Sequence, residues 1–224
     1  NYPKQSSNGS ALATMVTVFF FWGFVAASNG IFIPFCKAHF NLTQFQSQLI
    51  DTAFYAAYFL GSLLLWLASQ TTRVDILNKI GYKNGVIYGL LISVAGAVLM
   101  IPAVGTGSFS FILTAFFVIA LGFSLQQTAA QPFVTGLGTA ETGSHRLNLA
   151  GGVNSFGTLL GPILVSFFLF GNLSPEAASN ASVQSIDTVY YILIAVFFFF
   201  SVLLTVSKLP RINSDEAFEA GLGA

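Results

Sequence analysis

Long apolar runs separated by short polar ones recur six times along the chain, and each run reaches the about 20 mainly apolar residues that a helix needs to cross the roughly 30 Å hydrocarbon layer. The pattern predicts span 1 over about Ala11 to Phe35, span 2 over Gln44 to Ser69 and span 3 over Asn84 to Val104. Span 4 covers Phe109 to Val134, span 5 Leu147 to Phe170 and span 6 Thr188 to Ser207. Thr43-Gln44-Phe45-Gln46 carries a capping-box pattern, Thr followed three residues on by Gln, and marks the start of span 2. Pro102 and Pro210 are expected to stop spans 3 and 6. Span 1 is too long for the apolar core of a signal peptide and five spans follow it, so it reads as retained.

The polar positions inside these runs are not scattered. At 100° per residue, Trp22 and Asn29 stack on one side of span 1, and Asp51, Tyr55, Tyr58 and Ser62 make one stripe on span 2. Ser124, Gln127, Thr128, Gln131 and Thr135 share a face of span 4 around Pro132. Gly151, Asn154, Thr158 and Gly161 share one on span 5, ahead of Pro162. Span 6 is nearly free of polar groups, and span 3 carries Gly85-x-x-x-Gly89-x-x-x-Ser93, a spacing that lets helices approach closely. A single such polar group in a membrane helix ordinarily bonds a neighbouring helix. Four aligned stripes on four of six helices predict a water-accessible cavity lined by amides, hydroxyls and rings, the groups that recognise a neutral polyol. The stripes on spans 1, 2, 4 and 5, with apolar spans 3 and 6, also have the order of two three-helix repeats.

Composition narrows the class. Of 224 residues 54% are apolar and 7% charged, against roughly 25% charged in soluble domains, which excludes a water-soluble globule. Eight basic residues balance eight acidic ones, so no basic field exists to hold nucleic acid. Cys36 has no second cysteine to pair with, and His39 and His145 are too distant in sequence to form a zinc motif. An intramembrane enzyme would need a nucleophile and base at membrane depth, and neither a Gly-x-Ser-x-Gly elbow nor a His-Glu-x-x-His run occurs; the chain is not read as an enzyme.

Charge placement predicts orientation. With the N-terminus inside, Lys4, Arg73, Lys79, Lys83, Arg146, Lys208 and Arg211 fall on the cytoplasmic side and only Lys37 falls outside. The sequons at Asn41, Asn172 and Asn180 then all lie outside. The expected organisation is a tail over residues 1–10, a six-helix bundle over 11–208 and a cytoplasmic linker over 209–224.

The segments FFFWGFVAASNGIFIP, LTQFQSQLIDTAFYAAYFLGS, KIGYKNGVIYGL, ALGFSLQQTAAQPFVTGLG and HRLNLAGGVNSFG resemble the amino-terminal half of fucose permease type sugar transporters, in the major facilitator superfamily. The resemblance implies an all-α membrane protein, six transmembrane helices as two inverted three-helix repeats, forming half of a twelve-helix fold. It implies secondary transport of a neutral sugar by alternating access across the cytoplasmic membrane, with the second six-helix half following a linker that begins near Ser214 to Glu219. The alternative is a non-transporting membrane subunit or scaffold whose polar faces dock partner helices. Asn29 and Asn154 match the family as sugar contacts; Gln127, Gln131 and the Trp22 ring complete the expected substrate site.

This chain departs from the family at Gly30 and Gln127, where the pattern has the acids thought to serve proton coupling, and at Gly151, where it has Gln. Asp51, about seven residues into span 2, is the acid at membrane depth; it either reaches to the outer surface or bonds a neighbouring helix, or it is the candidate for the coupling role, with H⁺ or Na⁺ as the ion and no other cofactor.

Overall fold

The computed structural model describes residues 9–73, 75–170 and 183–212, all helical apart from short connections. Helix α1 runs Gly9–His39, α2 Gln44–Thr72, α3 Ile76–Ile80, α4 Tyr82–Thr106, α5 Phe109–Thr135, α6 Gly143–Phe170 and α7 Val183–Val206, with a 3₁₀ turn at Ala140–Thr142. Six of them are long and apolar enough to cross a membrane, and they correspond to spans 1 to 6, with α3 an extra short helix between spans 2 and 3. The predicted Lys4 and residues 213–224, with the sequons at Asn172 and Asn180, lie outside the described residues.

Helix ends follow local chemistry. The Thr43 hydroxyl accepts from the Gln46 N–H at 3.2 Å and the Gln46 side chain accepts from the Thr43 N–H at 2.9 Å, completing the capping box. Pro102 does not stop span 3, contrary to the sequence expectation. It lies inside α4, which runs on to Thr106 and ends at Gly107, in the left-handed region at φ 68°. One proline this close to a C-terminus removes a single bond, and the glycine, free of a Cβ penalty, sets the actual stop.

Helices in lipid gain nothing from burying apolar surface against one another, so close backbone approach must hold the bundle together. Glycine supplies that approach at two crossings. Between α4 and α5, a Cβ on Gly89 would lie 2.7 Å from the Gly122 carbonyl oxygen, and one on Gly96 would lie 2.6 Å from the Ile119 nitrogen. Between α1 and α6, Cβ atoms on Gly23 and Gly157 would overlap the carbonyls of Asn154 and Phe20, and one on Gly161 would sit 2.5 Å from the Phe24 carbonyl oxygen. Helix α7 has no such stripe and packs instead through rings, Phe21 on Phe200 at 4.9 Å and Phe123 on Phe197 at 5.8 Å.

The pairings carry the repeat. Taking α1, α2 and α4 as one unit and α5, α6 and α7 as the next, α1 against α6 is the counterpart of α2 against α5, while α4 against α7 is its own counterpart. This is the inverted three-helix arrangement, with α4 and α7 behind and α1, α2, α5 and α6 in front.

One end of the bundle collects the bases. Arg146 donates to the Val134 carbonyl at 3.0 Å, to the Thr135 and Thr139 carbonyls and to the Thr142 hydroxyl, closing the C-terminus of α5. Lys83 donates to the carbonyls of Thr205 at 3.2 Å and Ser207 at 2.7 Å, closing α7. Both cations meet the negative end of a helix dipole where the last carbonyls have no partner within the helix. Ile212 is buried against Gly136 at the same end, so the chain after α7 folds back under α5.

Gly157→Leu is expected to destabilise the bundle by about 3 kcal/mol or more, because the crossing has backbone rather than a flexible side chain in the way. Gly105→Ala, with open space around the added methyl, is expected to be neutral. Thermal unfolding of the two variants in detergent measures the difference, and equal melting temperatures would contradict this account of the crossing.

Candidate functional site

The front face of α1, α2, α5 and α6 holds two adjoining cavities. The larger, about 600 Å³, is lined by Phe19, Trp22, Gln127, Gln131, Leu147, Asn148, Gly151, Gly152, Asn154 and Ser155. The smaller, about 230 Å³, is lined by residues of all four helices, among them Ala26, Tyr55, Tyr58 and Thr158. Trp22, Gln127 and Asn154 belong to both and form the partition between them. No lining residue of either cavity carries a charge.

Four of the five expected substrate residues therefore converge: Trp22, Gln127, Gln131 and Asn154. The fifth, Asn29, lies in α1, and its side chain falls outside the described residues. Asn154 donates its amide N–H to the Phe19 carbonyl at 2.9 Å, which ties it to α1 and leaves its oxygen free to accept. The Trp22 indole is 2% exposed, and its N–H donates to the Gln126 side-chain oxygen at 2.6 Å. Trp22 can thus offer a ring to the cavity but no hydrogen bond.

The predicted stripes divide when the neighbouring helices are in place. Ser124, grouped in the sequence with Gln127 and Gln131, turns instead to α2, donating to the Tyr58 carbonyl at 3.0 Å and pairing with Ser62 at 3.0 Å. Thr128 and Thr135 bond back to their own helix, at the carbonyls of Ser124 and Pro132. Gly161 serves the α1 crossing rather than the cavity. Asp51 is half-buried on α2 and lines neither cavity.

By contrast Gln127, Gln131, Asn148 and Ser155 line the larger cavity with side chains that bond no other described residue, which leaves their full capacity for a ligand or solvent. Asn148 and Ser155 were not singled out in the sequence, although Asn148, Gly151, Gly152 and Ser155 have the i, i+3, i+4, i+7 spacing of one helical face. Gln126 was missed as well. Chemically the site can donate and accept hydrogen bonds over an aromatic wall; it has no group to neutralise an ionic ligand.

Ser62→Ala is expected to cost about 0.5–1.5 kcal/mol for the one interhelical hydrogen bond it removes, and Ser124→Ala more than that, since it removes two. The Tyr58 hydroxyl, buried with no partner among the described residues, predicts the opposite for Tyr58→Phe: stability unchanged or slightly raised. Unfolding of the three variants in detergent separates these outcomes.

Comparison with known proteins follows the same lines. The family model described as Major Facilitator Superfamily matches residues 11–223. The chain is 34% identical over 213 residues to the glucose/galactose transporter of Brucella abortus biovar 1, covering 95% of this chain and 50% of that protein. It is 32% identical over 226 residues to the L-fucose-proton symporter of Escherichia coli K12, again covering 95% and 50%. A crystal structure of the transporter FucP in the outward conformation superposes with a TM-score of 0.71 at 32% identity, covering 90% of this chain and 50% of that one. The chain spans about half the length of the relatives it matches.

Proposed function

This chain belongs to the Major Facilitator Superfamily, and we propose that it forms the amino-terminal half of a twelve-helix secondary transporter for a neutral hexose or deoxyhexose, coupled to a cation. The observation that carries the substrate class is the uncharged lining. Amides, a hydroxyl and an indole ring surround the larger cavity without one ionisable side chain. A sugar presents many hydroxyls, each able to donate and accept, and apolar C–H faces that pack on rings. The lining matches both needs, whereas an ionic substrate would enter a low-dielectric cleft with nothing to offset its desolvation. The relatives named for glucose, galactose and fucose agree with that chemistry.

The two cavities open on the face formed by α1, α2, α5 and α6. In the proposed protein a second six-helix half covers this face, and rocking of one half on the other exposes the partition at Trp22, Gln127 and Asn154 to each side in turn. Sidedness follows from the bases. Arg73, Lys79, Lys83, Arg146, Lys208 and Arg211 share the end where α5 and α7 terminate, and Lys37 stands at the other, which supports the reading that the former end faces the cytoplasm.

Within this reading Asn154, Gln127 and Gln131 bond sugar hydroxyls, Asn29 is retained as a further contact, and Trp22 stacks. Asn154→Ala in the full-length protein is expected to weaken binding of galactose, glucose or fucose by about three- to tenfold, the equivalent of one neutral hydrogen bond. Equilibrium binding in detergent checks it. Unchanged affinity in Asn154→Ala, Gln127→Ala and Gln131→Ala together would move the site off this face, as would a scaffold that binds no sugar.

Coupling is assigned to Asp51. A carboxylate at that depth in lipid is costly unless hydrated, protonated or bound to a cation, and neither cavity is lined by a carboxylate. Asp51→Asn keeps the shape and removes the ionisation. In proteoliposomes it is expected to abolish uphill sugar accumulation driven by a proton or sodium gradient while sparing sugar exchange. Accumulation at the normal rate would make Asp51 structural.

A further inference from the structure

Behind the partition a chain of hydrogen bonds runs from Trp22 to Gln126 and Ser93, neither of which lines a cavity. The Trp22 indole donates to the Gln126 oxygen at 2.6 Å, the Gln126 amide nitrogen donates to the Ser93 hydroxyl at 2.9 Å, and Ser93 donates to the Ile119 carbonyl at 3.2 Å. Gln126 and Ser93 are fully buried. The direction of every bond is dictated by chemistry. An indole nitrogen can only donate, so the glutamine oxygen must face Trp22; its nitrogen must then face Ser93, and the serine proton is left for the backbone. No member can rotate without stranding another in a water-free interior.

We propose that Gln126, backed by Ser93, is a positioning residue for sugar recognition: it fixes the Trp22 ring as the wall shared by the two cavities and takes up the donor that a sugar oxygen would otherwise compete for. The contribution of Trp22 to that wall then comes from its ring face alone, beside the amides of Gln127 and Asn154, and it depends on two residues that never meet the sugar. The packing agrees with a brace. Gln126 sits on the glycine crossing of α4 and α5, where a Cβ on Gly89 would lie 2.5 Å from its side chain, and so it has no free space to swing into. The chain also spans α1, α4 and α5, which ties the wall to both three-helix units.

The role in recognition rests on the sugar-transport reading; the brace itself does not, and the experiment separates them. Gln126→Met preserves length and volume and removes both hydrogen bonds. In the full-length protein, the emission of Trp22, taken as the difference from the same variant carrying Trp22→Phe, is expected to shift to shorter wavelength without sugar present, as the indole loses its polar partner. An unshifted spectrum would overturn the brace.

Affinity for galactose, glucose and fucose is expected to fall about three- to tenfold in Gln126→Met. In the Trp22→Phe background the same substitution is expected to change affinity less than twofold, because its effect runs through the indole. Additive losses in that double-mutant cycle would mean Gln126 is merely structural. Ser93→Ala removes the bonds from Gln126 to Ser93 and from Ser93 to Ile119 but leaves the Trp22–Gln126 bond in place, and is expected to give a smaller loss of the same sign. It keeps the proposal testable if Gln126→Met fails to fold. A wild-type protein that binds none of the three sugars, with the emission shift intact, would sink the role in recognition and leave the brace standing.

Discussion

The constraint on which this structure depends is backbone contact between helices. In water a bundle is held by hiding leucines from solvent; in hydrocarbon that gain vanishes, and what remains is dispersion at short range plus whatever polar groups can pair. Both glycine crossings answer that constraint. Once Gly89 and Gly122 bring α4 and α5 together, Ser93 comes within 3.2 Å of the Ile119 carbonyl, and Gln126 comes within reach of Ser93. Gly23 and Gly157 do the same for α1 and α6, placing Asn154 within reach of the Phe19 carbonyl. The site is thus assembled from residues whose separations were set by glycines that offer it no side chain.

Polar groups in such a bundle fall into two populations. Ser62, Ser124, Ser93 and Gln126 are paired across helices, and Arg146 and Lys83 close helix ends; each is spent on the fold. Gln127, Gln131, Asn148 and Ser155 are not spent. An unpaired amide in lipid would be severely penalised, so its presence implies water or a ligand beside it, which is the physical difference between a structural polar stripe and a binding one.

That distinction also explains what could be read from the chain alone. The spans were legible because length and hydropathy belong to one helix at a time, and the Thr43 box because a cap is local. The Gly85, Gly89 and Ser93 stripe was legible as packing, since small residues at that spacing have little other use. Pro102 misled because its effect depends on how many residues of helix remain, which Gly107 decides. Ser124 was placed with Gln127 because both face roughly the same way on α5. Only the arrival of α2 separates them, and no period in the sequence encodes which neighbour a helix will meet.

Gln126 and Gln127 bring the argument to its sharpest point. Chemically identical and adjacent, they differ by one 100° step around α5. That step sends one amide into a dry crossing, where both of its ends are bonded, and the other into a cavity, where neither is. Exchanging their roles would require rotating the helix, which the glycine contact with α4 forbids. The rigid amide and the available amide are therefore consequences of one another: a helix held tightly enough to brace Trp22 from behind is a helix whose next residue has a defined place in the cavity. Recognition of a neutral ligand, which lacks a charge to pull loose groups into line, needs such placement before the ligand arrives.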